Sequence, residues 1–274
     1  MPSPYWDEAR AQAYRRFSFV FPQNTLAGRT IVVAGGSGGL GAATSVLLVR
    51  DGANLVIGYK SNRERAEGLR SSLQSQSEAR IDLVPGDIAE PGVRMAYASA
   101  IAAQGSPLAG AAIFPGDPAR VTFENLDQPS LEASLRVNYT GPLLLAKDLG
   151  EMMEHRPEGG SIVFLATMQV LAAFPSSINY AAPKAALVHA ARVLAQQWNS
   201  VRVNVVAPGA TIAGMAAASV ESGKYDRYIQ NHAIARFGRP EDVARAVRFF
   251  LEPDCYITGQ ALAVDGGLVL RRDR

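Results

Sequence analysis

Tyr180 and Lys184 stand four residues apart in Tyr180-Ala181-Ala182-Pro183-Lys184, a spacing that puts a phenol and an ammonium on one face of a helix. A phenol with its ordinary pKa near ~10 is a poor proton donor or acceptor at neutral pH. An ammonium beside it stabilises the phenolate and lowers that value. The pair reads as a proton-transfer unit in which Lys184 activates Tyr180 and also holds sugar hydroxyls of a cofactor. Taken alone, this spacing is common on surface helices. Thirteen residues upstream, Thr167 closes the apolar run Ser161 to Ala166, at the strand end where α/β sheets place ligands.

A second chemical signature is Ala34-Gly35-Gly36-Ser37-Gly38-Gly39-Leu40-Gly41, which follows a strand and opens a helix. A turn this rich in glycine lets backbone N–H groups approach a pyrophosphate, and the helix start presents the positive end of its dipole. Gly35, Gly39 and Gly41, with Ser37 and Leu40 in the same turn, are the expected contacts. Eighteen positions past Gly41 (59 − 41 = 18), Tyr59 occupies the place where a carboxylate would accept from a ribose 2′-hydroxyl, and Lys60, Ser61 and Arg63 follow it. Basic groups here attract a 2′-phosphate, which points to NADP and leaves NAD open.

The elements that must position these groups alternate along the chain. Strands are expected at Thr30 to Ala34, Asn54 to Tyr59, Arg80 to Val84, Ala111 to Phe114, Ser161 to Ala166, Val201 to Ala207 and Ala261 to Asp265. Helical patterns lie between them, for example Ala42 to Arg50, Arg63 to Leu73, Leu131 to Met153 and Ala185 to Trp198. Alternation of this kind, with nearly continuous apolar strands, means a doubly wound parallel seven-stranded sheet covered on both faces, a three-layer α/β/α sandwich of the Rossmann type. Residues 28–274 read as one such domain and residues 1–27 as an added arm. The arm's Tyr5, Trp6, Tyr14, Phe17, Phe19 and Phe21 are expected to cover an apolar patch of the same subunit or a neighbour.

Composition excludes several classes. Lys and Arg number 27 against 25 Asp and Glu, a net +2 with no basic block beyond Arg271, Arg272 and Arg274, so no nucleic-acid footprint is expected. Cys255 is the only cysteine, and His155, His189 and His232 are scattered, so neither a disulfide nor a metal site is expected. The start lacks a signal-peptide pattern, and no run approaches the roughly 20 apolar residues of a membrane span, which suggests a cytoplasmic protein.

Taken together, the glycine turn, Asn138 in Arg136-Val137-Asn138, Thr167, the Tyr-x-x-x-Lys pair, Pro208-Gly209, Gly238-Arg239-Pro240-Glu241-Asp242-Val243, and Val264-Asp265-Gly266-Gly267 resemble the short-chain dehydrogenase/reductase family over residues 26 to about 270. Within its classical subgroup they look most like 3-oxoacyl-acyl-carrier-protein reductases. The resemblance implies that Tyr180 donates a proton to a carbonyl oxygen as a nicotinamide delivers hydride. It also implies that Lys184 tunes Tyr180 and binds ribose, that Asn138 holds a water, and that Thr167 bonds the substrate oxygen. Pro208, Gly209 and Thr211 would lie beside the nicotinamide, and Asp87, with Ile88, near the adenine. A homotetramer is implied, with Ala185, Ala186, Ala190 and Ala191 permitting close helix approach between subunits.

The chain departs from that family in four places. Thr167 replaces serine, Ile113-Phe114-Pro115-Gly116 replaces Asn-Asn-Ala-Gly, and Ala213 replaces a threonine. Ala34 stands for the Thr that opens the family's glycine motif, and Gly38 stands where many NADP-using relatives carry Arg. Ala213 to Tyr228 occupies the place of a substrate lid. The leading expectation is NADP-dependent reduction of a carbonyl such as a 3-oxoacyl thioester. An NAD-dependent alcohol, sugar or steroid dehydrogenase and a dinucleotide-binding regulator stay open beside it.

Overall fold

The structure, a computed structural model, describes residues 6–174, 177–213, 220–223, 226–229 and 234–270, and within these not the side chains of residues 14, 227 and 228. His232 and the basic tail 271–274 lie outside the described residues, as does Tyr5, and of the expected lid only 213, 220–223 and 226–228 are described.

Seven strands form one sheet in the order β3-β2-β1-β4-β5-β6-β7, every neighbouring pair parallel. They are β1 (Thr30–Ala34), β2 (Asn54–Tyr59), β3 (Ile81–Pro85), β4 (Leu108–Ile113), β5 (Gly160–Leu165), β6 (Val201–Pro208) and β7 (Ala261–Val264). Parallel pairing requires long crossovers, and helices supply them. These are α2 (Gly39–Arg50), α3 (Arg63–Gln74), α4 (Pro91–Gln104), α5 (Gln128–Leu135), α6 (Gly141–Glu154), α7 (Ile178–Gln197) and α8 (Pro240–Leu251), with α1 (Glu8–Arg15) in the arm.

Side chains alternate along each strand and so feed two cores. Val32 and Ala34 of β1 join Tyr97 and Ile101 of α4, Leu145 and Leu149 of α6, and Leu187 of α7. Ile31 and Val33 face the other way, onto Leu48 of α2, Leu73 of α3, and Val247 and Phe250 of α8. Strand order reverses between β1 and β4, so the loops that leave their C-terminal ends diverge and open a crevice. The glycine turn and the Pro115-Gly116 loop are those two loops.

Two expected boundaries move for a physical reason. β4 starts at Leu108 rather than Ala111, because Leu108-Ala109-Gly110 has little intrinsic strand preference and is recruited by pairing: Leu108 with Thr30 and Gly110 with Ser161. The expected continuous helix from Leu131 to Met153 is broken by a π-helical turn at Arg136–Thr140. Pro142 explains it: proline has no N–H for the carbonyl of residue 138, and its ring displaces that carbonyl.

Phe17 and Phe21 are 84% and 86% exposed, so within this protomer these two cover no apolar patch of the described residues, while Trp6 and Phe19 are about half exposed. α1 meets the α/β body at Arg10 Nη2, which donates to Asp254 Oδ2 at 3.3 Å.

Gly41 sets the geometry of the glycine turn. A Cβ there would collide with the Gly35 carbonyl and come within 2.8 Å of Gly36 Cα, both backbone atoms that cannot rotate away. Gly41→Ala is expected to lower stability by about 1–3 kcal/mol through overpacking. Denaturant unfolding without added ligand checks this, and an unchanged midpoint contradicts it.

Candidate active site

The reactive pair is seated by α7. Lys184 is 2% exposed, and its Nζ donates to the carbonyl of Leu165, at the end of β5, at 2.8 Å and to that of Pro115, beyond β4, at 3.1 Å. One ammonium proton remains for a ligand. Tyr180, one turn earlier and half-buried, has no hydrogen-bond partner for its hydroxyl among the described residues. Thr167 sits two residues past Leu165; its Oγ1 accepts from the Gln169 N–H at 3.3 Å, which leaves its own hydroxyl proton to donate.

Asn138, wholly buried in the π turn, clamps the β4 loop. Its Oδ1 accepts from the Asp117 N–H and its Nδ2 donates to the Asp117 carbonyl, both at 3.0 Å, and Nδ2 also donates to Ser134 Oγ at 3.1 Å. The side chain is thus engaged by protein. Pro142, four residues on, has no N–H to offer the Asn138 carbonyl. Pro183 creates a similar gap in α7 by removing the N–H that would serve the Asn179 carbonyl, and Ser134 Oγ donates there instead.

The electrostatics run against one expectation. Tyr180 is pushed up to about 12, chiefly by burial and further by the Asp117 carboxylate, while burial pulls Lys184 down to about 7. In this arrangement burial and the Asp117 carboxylate set the direction of the Tyr180 shift, against the lowering expected from Lys184. Asp117, on which sequence reasoning placed no role, is therefore part of the site.

At the other end of the crevice, Gly38 caps α2 without any side-chain hydrogen bond, so the first N–H groups of the helix are open to an anion. Gly35 holds the turn at φ +73°, where a Cβ would come within 3.2 Å of Phe114. Ser37, Gly38, Gly39, Lys60, Ser61, Asn62, Arg65 and Ala213 line a cleft of about 540 Å³ beside it. Lys60 Nζ lies 3.0 Å from Asp87 Oδ2; burial pushes the Asp87 carboxyl up, but the Ala89 N–H and then Lys60 outweigh it and hold the carboxyl below its ordinary value. Arg65 Nε donates to the Ser37 carbonyl at 2.6 Å, and no carboxylate lies within ion-pair distance of it among the described residues. Arg63 turns away, 3.8 Å from Glu67. Arg65, which sequence reasoning did not single out, thus lines the cleft without an acidic partner among the described residues; the Asn62 side chain that accepts its N–H is a helix-start signal readable in the sequence.

The remaining predicted residues fall on the same edge of the sheet in different roles. Tyr59 is half-buried and its carbonyl accepts from the Gly86 N–H, while the Leu40 and Ile88 side chains pack into the two cores. After β6, which ends at Pro208, Gly209 donates to the Val264 carbonyl at 2.9 Å, and buried Thr211 donates through Oγ1 to the Gly209 carbonyl at 3.1 Å. His155 and His189 are exposed, Cys255 is half-buried, and no His, Cys, Asp or Glu group suited to a metal occurs among the described residues. No described helix is long and apolar enough to cross a membrane.

Comparison with known proteins agrees with this geometry. The family described as Enoyl-(Acyl carrier protein) reductase matches residues 34–269. Carbonyl reductase family member 4 of Danio rerio is 33% identical over 88% of this chain and 98% of its own. Glucose 1-dehydrogenase of Gluconobacter oxydans is 28% identical over 100% of this chain and 97% of its own. The solved structure of a short-chain type dehydrogenase/reductase from Mycobacterium ulcerans superposes with a TM-score of 0.84 at 26% identity, covering 90% of this chain and 91% of that one. The chain belongs to the short-chain dehydrogenase/reductase family and is an NAD(P)-dependent oxidoreductase that interconverts alcohols and carbonyls.

Removing the Asp117 charge relieves the pressure that keeps Tyr180 protonated. A phenol that donates a proton is lost as pH rises through its pKa, so the alkaline limb of the reduction rate in Asp117→Asn should move to lower pH than in wild type. A pH–kcat/KM profile checks this, and an unmoved or raised limb contradicts it.

Proposed function

We propose that this protein is an NADP-dependent carbonyl reductase that also runs in the alcohol-oxidising direction. The observation that carries the reading is the placement of Lys184, buried and bonded to the carbonyls that leave β4 and β5, with the Tyr180 hydroxyl unengaged one turn away on the same helix. The residues fit a dinucleotide on structural grounds: an uncapped helix start, glycines that admit close approach, and a cationic cleft next to them.

A nicotinamide bound along this crevice supplies the hydride to the carbonyl carbon. Tyr180 donates the proton to the carbonyl oxygen, and the Thr167 hydroxyl donates a hydrogen bond to the same oxygen and fixes its direction. The third proton of Lys184 holds ribose hydroxyls, and its two carbonyl bonds keep the ammonium from wandering. The Asn138 carbonyl anchors a water that returns a proton to Tyr180.

NADP is favoured over NAD by Arg65 and Lys60. Arg65 has no acidic partner among the described residues, and its guanidinium matches a phosphate in geometry as well as charge. Asp87, which pairs with Lys60, sits at the end of β3 rather than β2, so it does not occupy the ribose-reading position. The reading extends to self-association through α5 and α7, supported by the exposed Leu131, Leu135 and Val193; Ala191 is buried in its own core and plays no part in it.

Turnover on a panel of ketones and aldehydes, with NADPH and NADH in parallel, tests the proposal. Wild type should prefer NADPH, Tyr180→Phe should lose about 100-fold or more in kcat, and Arg65→Gln should weaken NADPH selectively by about tenfold. Equal rates for wild type and Tyr180→Phe would sink the mechanism. A preference for NADH would sink the cofactor assignment alone.

A further inference from the structure

Asp117, whose carboxylate bears on Tyr180, is not among the residues that line the cofactor cleft. The backbone of Asp117 is gripped at both ends of its own residue by the buried Asn138 carboxamide, at 3.0 Å each. Asn138 is held by Ser134, which donates to the carbonyl of Asn179, the residue before Tyr180. A second path closes the loop: Asn179 Nδ2 donates to the Ala119 carbonyl at 3.3 Å, and the Ala119 N–H donates to Asp117 Oδ1 at 2.8 Å. Two routes of hydrogen bonds thus tie Asp117 to the start of α7.

The loop lies directly on the reactive groups. A Cβ on Gly116 would come within 3.0 Å of Asn138 Oδ1 and 3.1 Å of Lys184 Nζ, so position 116 is bare and Asp117 carries the first side chain past Lys184. That side chain is exposed, and its Oδ2 has neither a hydrogen-bond donor nor an ion-pair partner among the described residues. The carboxylate acts at Tyr180, since its field adds to burial in raising the phenol.

An anion held at the mouth of the site, without an ion-pair partner among the described residues, repels a second anion brought close to it, although water screens the exposed carboxylate. Resting on the reading of the site as carbonyl-reducing, we propose that Asp117 selects substrates by charge. The site takes neutral carbonyl compounds and turns away those that carry a carboxylate or phosphate beside the reacting carbonyl.

Ethyl 3-oxobutanoate and the 3-oxobutanoate anion test this, because they share one ketone and differ in charge. The kcat/KM ratio of ester to anion should exceed about tenfold in wild type, fall by about tenfold in Asp117→Asn, and return in Asp117→Glu. Binding of the same pair to the NADPH-loaded protein, followed by ligand-detected NMR, should show the same discrimination without needing turnover. Equal ratios in wild type and Asp117→Asn, a preference for the anion, or no binding of either compound would overturn the proposal. Charge-dependent binding without turnover would leave it standing and overturn the carbonyl-reductase reading instead.

Discussion

The arrangement depends on one buried ammonium. Lys184 leaves water almost completely, and what makes that tolerable is the pair of main-chain carbonyls at the ends of β4 and β5 that accept from it. The cost of the burial is visible in its pKa, drawn down to about 7. In exchange, α7 is locked in register with the sheet at the edge where strand order reverses. Tyr180 is carried one turn from the lock, and the β4 loop is drawn down over it. Without this bond pair the sheet and helix would still pack, but nothing would fix the phenol against the crevice.

Two prolines do related work by taking donors away. Pro183 frees the Asn179 carbonyl, which Ser134 then occupies, joining α5 to α7. Pro142 frees the Asn138 carbonyl and forces the π turn that aims the Asn138 carboxamide at Asp117. Each removes one regular helical bond and replaces it with a bond between elements. The network Asp117, Asn138, Ser134, Asn179 follows from these gaps, and it ties a surface loop to α5, the π turn and the start of α7.

Much of this was readable from residue order. Parallel strands with both faces covered announce themselves as apolar runs, and the two chemical signatures sit at strand ends as expected. What local pattern could not show is anything that depends on burial or on long-range direction. Tyr180 and Lys184 share a helix face, yet their mutual effect on protonation is overridden by desolvation and by Asp117, which is 63 positions away (180 − 117 = 63). The cleft's cation was sought immediately after β2, where Lys60 is already paired, whereas Arg65 reaches back from the first turn of α3 to the glycine turn. Departures at Phe114 and Pro115 look like losses when compared with relatives. In place they supply a carbonyl to Lys184 and a wall beside Gly35.

The most direct test of the account is a crystal structure with NADP bound. It should show the 2′-phosphate against Arg65 and Lys60. The ribose nearer the nicotinamide should meet the third proton of Lys184 while the bonds to Pro115 and Leu165 persist, and the Tyr180 hydroxyl should face the nicotinamide. A complex in which Lys184 abandons both carbonyls, or in which the nicotinamide lies beyond reach of Tyr180, would contradict it.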